Sequence, residues 1–223
     1  MTFDPAIMWQ ALPELVRYLP MTLLLAVASM VFGVLIGLLL ALVRFSRVPV
    51  LNQVAAVYIS FFRGIPTLVQ LFLIYFGLPT VFPAMAAMDA VTAAILGLSL
   101  KQSAYLAEIF RAALTSVDRG QYEAGLSTGL TPSQIYRRYI IPQASYNALP
   151  ATGNIFIGLI KETSVVFTLG ITEIFASAQM YAANNFRYFE TYLMVGLIYW
   201  AVVVIVGLLI SALEKQLGKP YQR

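Results

Sequence analysis

Long apolar runs separated by short polar connections are the main pattern in this chain. Three of the runs, residues 18–43, 139–160 and 191–213, carry no charged residue. An α-helix needs about 20 apolar residues to cross a hydrocarbon core of roughly 30 Å, and each of these runs is long enough. The pattern therefore predicts several helices that span a bilayer.

Two further runs predict spans with polar interruptions. Residues 51–76 are apolar except near Arg63, and Pro66 is expected to bend the helix near its start. Residues 90–114 are apolar overall but contain Lys101, Glu108 and Arg111, which predicts a helix with one polar side. A single domain of residues 1–223 would then hold five spans, at about residues 19–43, 51–76, 90–114, 139–160 and 191–213.

Two segments outside these spans are less regular. Residues 5–17 predict a short amphipathic helix on the outer surface, with Trp9, Leu12 and Val16 on its apolar side, and a disordered leader is the alternative. Residues 163–189 are too polar in patches for a sixth span. We expect them to form a re-entrant or surface-lying segment whose backbone is covered by protein or faces a watery cavity.

The basic residues predict the orientation of the chain. One set follows the first, third and fifth predicted spans: Arg44, Arg47, Arg111, Arg119, Arg137, Arg138, Lys215, Lys219 and Arg223. The opposite side holds only Arg17, Lys161 and Arg187. Because cytoplasmic loops carry the excess of Lys and Arg, the N-terminus is predicted outside and the C-terminus in the cytoplasm.

Composition agrees with a membrane protein and excludes several kinds of chemistry. The chain is 60% hydrophobic and 11% charged, so the bilayer is its expected solvent. It has no Cys and no His, which excludes thiol nucleophiles, the usual zinc sites and imidazole bases. The start lacks a basic region and a cleavage site, so no removable signal peptide is expected. The net charge of +4 lies beside apolar runs and does not indicate nucleic-acid binding.

Small residues recur at helical spacing in the first span. Ser29, Gly33, Gly37 and Ala41 lie on one face and predict the close approach of another helix. The fifth span has a shorter version of this pattern, with Gly207 and Ser211.

The polar connection at residues 115–138 predicts a helical corner. Asp118 can cap a short helix, and Gly129 can end it in the left-handed conformation. Thr131, Pro132 and Gln134 then form the start of a second helix with a capping box. Such a corner could transmit motion from a soluble partner to the spans, although an ordinary polar connection would share these features.

The same connection carries a family signature. Glu123-Ala124-Gly125, Gly129 and the run Tyr139–Pro142 resemble the EAA motif of ATP-binding-cassette (ABC) importer permeases, Glu-Ala-Ala-x3-Gly-x9-Ile-x-Leu-Pro, with the spacing matched in full. Gly125 stands for the third residue Ala, Tyr139 for Ile and Ile141 for Leu, and we expect the small-residue change to be harmless. Further stretches resemble the polar amino-acid branch: residues 61–66 with Gln70, 104–111, 142–144 and 161–164.

The resemblance implies a fold and a set of partners. The fold would be an all-α integral membrane domain of the type I importer, with five transmembrane helices and a cytoplasmic coupling helix at about residues 120–128. Coupling to a cytoplasmic ABC ATPase would involve Glu123, Ala124, Gly125, Gly129 and Pro142.

The other partners would be an extracytoplasmic amino-acid-binding protein and a second permease subunit, identical or related, in a bacterial plasma (inner) membrane. The small-residue stripe and the fifth span are plausible dimer contacts. The chain has no Gly-x4-Gly-Lys sequence followed by Ser or Thr. ATP and Mg would therefore bind the partner, and this chain would be a non-catalytic subunit without a cofactor or metal of its own.

Ionisable side chains at membrane depth are candidate substrate residues because they are costly there. Lys101, with Gln102 and Tyr105, could line an aqueous path and hold a substrate carboxylate, or Lys101 could pair with Glu162 of the same subunit. Glu162 could receive the ammonium group of an amino acid, or it could be a solvated charge at the helix end. The predicted hydrogen-bonding residues beside it are Asn154, Thr163 and Ser164.

Four residues are given structural roles. Glu108 and Arg111, three apart on one helix, predict an ion pair. Arg63 lies before the bend at Pro66, on the cytoplasmic half of its span, and could snorkel or bind a lipid phosphate.

Two other functions are compatible with an apolar chain that has buried charges. A proton-coupled secondary transporter of amino acids could use the carboxylates as relays, but it would be expected to show inverted repeats, and none appears. An integral-membrane enzyme would need a base, and the chain has neither His nor a Gly-x-Ser-x-Gly elbow.

Overall fold

The computed structural model describes residues 3–46 and 48–218, and within these residues it contains helices and no strand. Arg47, Lys219 and Arg223, which contributed to the predicted orientation, lie outside the described residues. The α-helices are α1 Pro5–Val16, α2 Leu19–Ser46, α3 Pro49–Gly64, α4 Thr67–Phe72, α5 Leu78–Val81, α6 Ala90–Thr115, α7 Arg119–Ser127, α8 Pro132–Ile135, α9 Ile141–Glu162, α10 Ile174–Asn185 and α11 Tyr188–Gly218. Wider π-helical turns occupy Leu73–Gly77 and Tyr136–Ile140, and narrower 3-10 turns occupy Pro83–Met85 and Thr163–Leu169.

Length and hydropathy select the helices that can cross a membrane. Helices α2 and α11 are each long and apolar enough alone. Two bent pairs pass the same test only when their halves are taken together: α3 with Thr67–Val81, and Pro132–Leu169 with α10. Helix α6 is nearly as long as α2 but carries Lys101, Glu108 and Arg111, and it packs between α2, α3, α4 and α9. The result is an all-α membrane bundle with α6 at its centre.

The second predicted span is broken more sharply than expected. Helix α3 and the segment Thr67–Val81 meet at 112°, so the bend predicted at residues 63–66 is confirmed, but it is a sharp break in the middle of the segment and not a bend near the start of one helix. Pro66 lacks an N–H, and Ile65 before it is extended, as residues before proline prefer to be. The side-chain amide of Gln70 donates to the carbonyls of Phe62 (2.9 Å) and Ile65 (2.8 Å). The break therefore has its own hydrogen bonds inside the apolar bundle.

Helix α1 is ordered, but its buried face differs from the predicted one. Asp4 accepts a hydrogen bond from the backbone N–H of Ala6 and caps the helix. Buried against α10 and α11 are Met8, Ala11 and Leu15. Trp9 is 68% exposed and Val16 is 41% exposed, so only Leu12 of the predicted apolar side packs against the bundle. Both faces are apolar, and a hydrophobic pattern could not choose between them.

The small-residue stripe of α2 packs inside the subunit. Ser29, Gly33, Gly37 and Ala41 are all buried on α2, and the two glycines lie against α6. The suggestion that this stripe forms a dimer contact is therefore wrong, because α6 of the same chain already occupies it. In α11, no atom lies within 4 Å of a Cβ added at Gly207.

A different glycine brings α9 and α11 together. A Cβ added at Gly153 would lie 2.7 Å from the Cγ2 atom of Ile210, so the close contact is made by α9 rather than by the small residues of α11. The close helix contact that was predicted at Gly207 and Ser211 is therefore made at Gly153.

Exchange of Gly37 for Ala is expected to destabilise the bundle. The added Cβ would lie 2.9 Å from the Leu106 Cβ and 3.2 Å from the Ser103 carbonyl oxygen, so α2 and α6 must separate. Overpacking of this kind costs roughly 1–3 kcal/mol, offset in part by the higher helix propensity of Ala. Thermal unfolding of the purified protein in detergent measures the change. Gly196→Ala is the matched control, because no atom lies within 4 Å of its added Cβ. Equal midpoints for the two variants would contradict the close contact.

Candidate functional site

The central helix α6 is open along one narrow stripe. From Gly97 to Ala107, only Leu100, Lys101 and Tyr105 are not buried. Lys101, Tyr105 and Glu108 follow one another at spacings of four and three residues, and all three are partly exposed. We call these three residues the open stripe of α6. A polar stripe on an otherwise enclosed membrane helix is suited to line an aqueous path.

At the Lys101 end of the open stripe, side chains from three helices form a polar cluster. The cluster consists of Thr67 at the start of α4, Lys101 and Gln102 on α6, and Glu162 at the end of α9. The Lys101 ammonium pairs with Glu162 Oε1 and also contacts the Thr67 hydroxyl, which itself donates to Glu162 Oε1. Gln102 Nε2 donates to Glu162 Oε2 at 2.8 Å. The predicted pairing of Lys101 with Glu162 within one subunit is confirmed.

The cluster is mostly enclosed but still reaches the surface of the chain. The side chains of Lys101 and Glu162 are 16% and 18% exposed. Two opposite charges held at this depth can neutralise each other or can each receive a charged group of a small zwitterion. Sequence reasoning missed Thr67, and its only signal was its place directly after Pro66, at the first turn of a helix.

The three residues predicted to hydrogen-bond beside Glu162 are not brought into the cluster. Thr163 is buried, and its hydroxyl donates to the Ile160 carbonyl at 2.7 Å. The Ser164 hydroxyl donates to the Lys161 carbonyl at 2.8 Å. Asn154 is exposed and lies about 12 Å earlier along α9 than Glu162. The hydroxyls bond to the carbonyl three residues back because the chain tightens into a 3-10 turn after α9.

In the middle of the open stripe, Arg63 packs on Tyr105. The guanidinium carbon is 5.3 Å from the centroid of the tyrosine ring, which is a cation–π contact. Arg63 thus lies at the level of Tyr105, well inside the length of α6. The alternative of a side chain that snorkels to the membrane edge does not describe this conformation.

The Glu108 end of the open stripe holds an ion-pair network. Arg111 Nη2 pairs with Glu108 Oε2 at 2.8 Å, and Arg44 Nε lies 3.9 Å from Glu108 Oε1. Arg44 Nη1 also donates to the Asn52 side chain at 2.5 Å. The predicted ion pair of Glu108 and Arg111 is confirmed, and Arg44 extends it to α2.

A buried carboxylate that sequence reasoning did not single out joins three helices. Glu173 is fully buried at the start of α10 and caps that helix by accepting from the Ala176 N–H at 2.8 Å. Tyr199 of α11 donates to Glu173 Oε2 at 2.7 Å, and Thr22 of α2 donates to the same oxygen at 3.3 Å. Only its position before an amphipathic stretch could have indicated this capping role. The network fixes the segment that follows Glu162, which packs in the bundle instead of lying on its surface.

Beyond the other end of α6, the chain forms the predicted helical corner. The Asp118 carboxylate accepts from the Gly120 N–H at 2.6 Å and starts α7. Gly129 ends the helix with φ of +82°, a left-handed conformation that favours glycine. Thr131 and Gln134 form both hydrogen bonds of the capping box that starts α8. These local predictions are confirmed.

One edge of α7 is exposed in the part of the chain that the structure describes. Glu123 and Ala124 are exposed, whereas Gly125 is buried against Ile135 of α8. Behind the corner lies an open cavity of about 610 Å³, whose walls include Arg44, Arg119, Tyr122 and Tyr136. Pro142 lies near the start of α9, directly after the π-helical turn Tyr136–Ile140. The corner is therefore a preformed structure with an exposed helical edge.

Exchange of Gly125 for Ala is expected to loosen the corner, contrary to the sequence-based expectation that Gly and Ala are interchangeable here. The added Cβ would meet Ile135 Cγ1 at 2.6 Å and Cδ1 at 2.8 Å. We expect a loss of roughly 1–3 kcal/mol, read as faster limited proteolysis of the segment between α6 and α9. Adding Ile135→Ala should restore part of the wild-type resistance to cleavage, because it removes both the Cγ1 and the Cδ1 atoms that the new methyl group would meet. Cleavage of Gly125→Ala at the wild-type rate would show that Ile135 can move aside.

This arrangement defines a class of protein. Apolar helices surround a polar-striped central helix, and an exposed helical corner projects from one end, as in the transmembrane domain of a type I ABC importer. A crystal structure of an amino acid ABC transporter with histidines superposes with a TM-score of 0.88 at 39% sequence identity, covering 97% of this chain and 100% of that chain.

The sequence places the chain within that class. It belongs to the family described as "Binding-protein-dependent transport system inner membrane component", whose model matches residues 33–219. The probable amino-acid permease protein YxeN of Bacillus subtilis (strain 168) is 58% identical over 221 residues, with 99% of both chains covered. The probable amino-acid ABC transporter permease protein PatM of Vibrio harveyi is 50% identical over 223 residues, with 100% of both chains covered.

Membership of this family decides among the three functions that the sequence left open. The chain is a multi-pass membrane permease subunit of an ABC importer, a transport component and not an enzyme. Such importers depend on a separate ATPase and a substrate-binding protein. The proton-coupled transporter and the membrane enzyme are thereby set aside.

Proposed function

We propose that this chain conducts polar amino acids through the membrane along the open stripe of α6. The observation that carries the proposal is the pairing of Lys101 with Glu162 in a polar cluster that is still partly exposed. An amino acid carries one ammonium and one carboxylate, which are the charges that these two side chains can receive. The names of the two relatives above, both described as probable amino-acid permeases, support the same substrate class.

The residues of the site have separate roles in this proposal. Glu162 receives the substrate ammonium, and Lys101 receives the carboxylate, with Gln102 and Tyr105 completing the wall. Asn154 is exposed and can line the same path from α9. Thr163 and Ser164 anchor the end of α9 by their bonds to backbone carbonyls, and so keep Glu162 in position.

Helix α7 is the coupling helix in this proposal. Its exposed residues Glu123 and Ala124 dock against a cytoplasmic ABC ATPase, and Gly125, Gly129 and Pro142 shape the corner behind them. ATP and Mg bind that partner, and this chain binds no cofactor itself. Movement of the ATPase would reach α6 and α9 through the corner, since α7 and α8 connect these two helices directly.

The proposed function includes an orientation of the chain in the membrane and an assembly of the importer. The N-terminus lies outside, and the corner and the C-terminus lie in the cytoplasm, as the distribution of basic residues predicts. Two permease subunits, identical or related, enclose the pathway in a bacterial plasma (inner) membrane. Within one chain, the residues of the open stripe of α6 remain partly exposed. This exposure supports a second subunit as the opposite wall of the pathway. An extracytoplasmic amino-acid-binding protein delivers the substrate.

Reconstitution tests the proposal. The permease, its ATPase and its binding protein are placed in proteoliposomes with ATP on the side of the ATPase, and uptake of each of the common L-amino acids is measured. We expect uptake of at least one polar amino acid that stops without ATP and survives collapse of the proton gradient. Uptake that needs the proton gradient and not ATP, or no uptake of any amino acid, would overturn the proposal.

A further inference from the structure

Arg63 differs from the other charged residues that line the pathway. It lies in the last turn of α3, directly before the break at Pro66, and it is exposed. One face of its guanidinium packs on Tyr105, a residue of the open stripe, at 5.3 Å from the ring centroid. Thr67, four residues later in the chain, belongs to the polar cluster. Arg63 therefore lies beside the proposed pathway, next to the cluster and inward of it.

The charges on either side of Arg63 are already paired. Outward, Lys101 and Glu162 neutralise each other. Inward, Glu108 pairs with Arg111 and lies 3.9 Å from Arg44. Among the residues that the structure describes, no carboxylate lies within ion-pair distance of Arg63. The nearest carboxylate to act on the charge of Arg63 is Glu108, whose own ion pairs are with Arg111 and Arg44. A cation at membrane depth without an ion-pair partner is costly, which makes Arg63 a candidate to hold an anion that arrives from outside the chain.

The geometry of this pair suits a carboxylate. The guanidinium carbon lies over the tyrosine ring at 5.3 Å from its centroid, and within the described residues its N–H groups donate no hydrogen bond, so they remain available. A guanidinium edge presents two parallel N–H donors, which match the two oxygens of a carboxylate. The ring also holds the guanidinium in place, so less side-chain entropy is lost when the carboxylate binds.

We propose that Arg63, held by Tyr105, is a second binding station that takes the carboxylate of the transported amino acid as it leaves Lys101. This inference rests on the proposed function. Tyr105 follows Lys101 by four residues, about 6 Å along α6, so the carboxylate moves by one helical turn from one cation to the next. Lys101 and Arg63 are thus two successive binding stations, and the ion pairs of Glu108 lie farther along α6.

A binding measurement with two probes tests this station. The probes are the amino acid that the wild-type complex transports and the α-carboxamide of the same amino acid, which lacks the negative charge. Binding of each is measured to the purified complex of permease and ATPase in detergent, without the external binding protein, so that the selectivity of that protein does not enter. Size-exclusion elution and the basal rate of ATP hydrolysis show whether each variant is assembled.

The expected result separates recognition of the carboxylate from structural damage. Arg63→Gln should weaken binding of the free amino acid about tenfold or more, the size expected for loss of a hydrogen bond to a charged group, and leave the carboxamide unchanged. Arg63→Lys should retain part of the affinity for the free amino acid. Tyr105→Leu should weaken the free amino acid selectively, because it removes the ring that lies under the guanidinium. Arg17→Gln, which removes an exposed arginine between α1 and α2, is the control and should change neither probe.

Two results would overturn the inference. Equal loss of both probes in Arg63→Gln would assign Arg63 a structural role only, and no loss of either probe would remove it from the pathway. If Arg63→Gln does not assemble, Tyr105→Leu gives the same decision. The proposed function fails in a different way, because the wild-type complex would then import no amino acid in the reconstituted system.

Discussion

Exchange of Glu162 for Gln is expected to lower amino-acid uptake at least tenfold while the complex with the ATPase still assembles. The exchange leaves the Lys101 ammonium with only neutral partners, the Thr67 hydroxyl and the new amide at position 162, in a cluster that is less than one-fifth exposed. Removal of one member of an enclosed ion pair costs roughly 3–5 kcal/mol in the most buried cases. Uptake by proteoliposomes, measured against substrate concentration, and size-exclusion chromatography of the complex give the two readouts.

A double variant distinguishes stability from substrate recognition. Lys101→Met combined with Glu162→Gln removes both charges, so it should recover most of the stability lost by Glu162→Gln alone. It should not recover uptake, because no group remains to receive the charges of the amino acid. Glu14→Gln on the exposed side of α1 is the control for loss of a carboxylate. Unchanged uptake kinetics in Glu162→Gln would remove this residue from the site.

Exchange of Ala124 for Glu is expected to uncouple ATP hydrolysis from transport. Ala124 is exposed on α7, so a larger side chain there should leave the corner folded. In the proposed complex the same side chain would enter the contact with the ATPase, where an added unpaired charge is costly. We expect uptake to fall below about one-tenth of the wild-type rate, as a loss of more than about 1.4 kcal/mol in that contact implies. Hydrolysis of ATP by the ATPase should continue.

A second substitution at the corner has a different physical basis. Gly129→Glu adds the same charge but also forces a side chain into a left-handed conformation at φ of +82°, so both folding and docking should suffer. Gln216→Glu, exposed near the end of α11, is the control for an added negative charge. Simultaneous measurement of phosphate release and uptake gives the coupling ratio. A fully coupled importer carrying Ala124→Glu would contradict the assignment of α7 as the coupling helix.

The parts of the fold that sequence predicted are those fixed by local physics. Apolar length predicted α2, α9 and α11 because the bilayer thickness demands it. The corner was predicted because left-handed Gly129 and the capping box of Thr131 and Gln134 depend on neighbouring residues only. The Lys101 and Glu162 pair was named as one alternative, because buried charges need partners and few were available at that depth.

The features that the sequence did not predict depend on which helix surfaces pack against each other in the folded chain. The stripe of Gly33 and Gly37 predicted a close helix contact, but composition could not tell α6 of the same chain from a second subunit. The apolar residues of α1 cover both faces, so the choice of Met8 over Trp9 follows from the shape of α10 and α11. Thr67 and Glu173 are brought to their partners by the long-range fold, and no local spacing connects them to those partners.

The role of Gln70 at the break between α3 and α4 has a mechanical consequence. In a water-soluble hinge, solvent molecules take over the carbonyls that a proline leaves without partners, and the angle can drift as they exchange. Here the side-chain amide of Gln70 donates hydrogen bonds to the carbonyls of Phe62 and Ile65 in place of solvent. The angle between α3 and α4 should therefore stay the same whether or not the proposed pathway beside them contains water. We expect α3 and α4 to move as one rigid unit that carries Arg63 and Thr67 together.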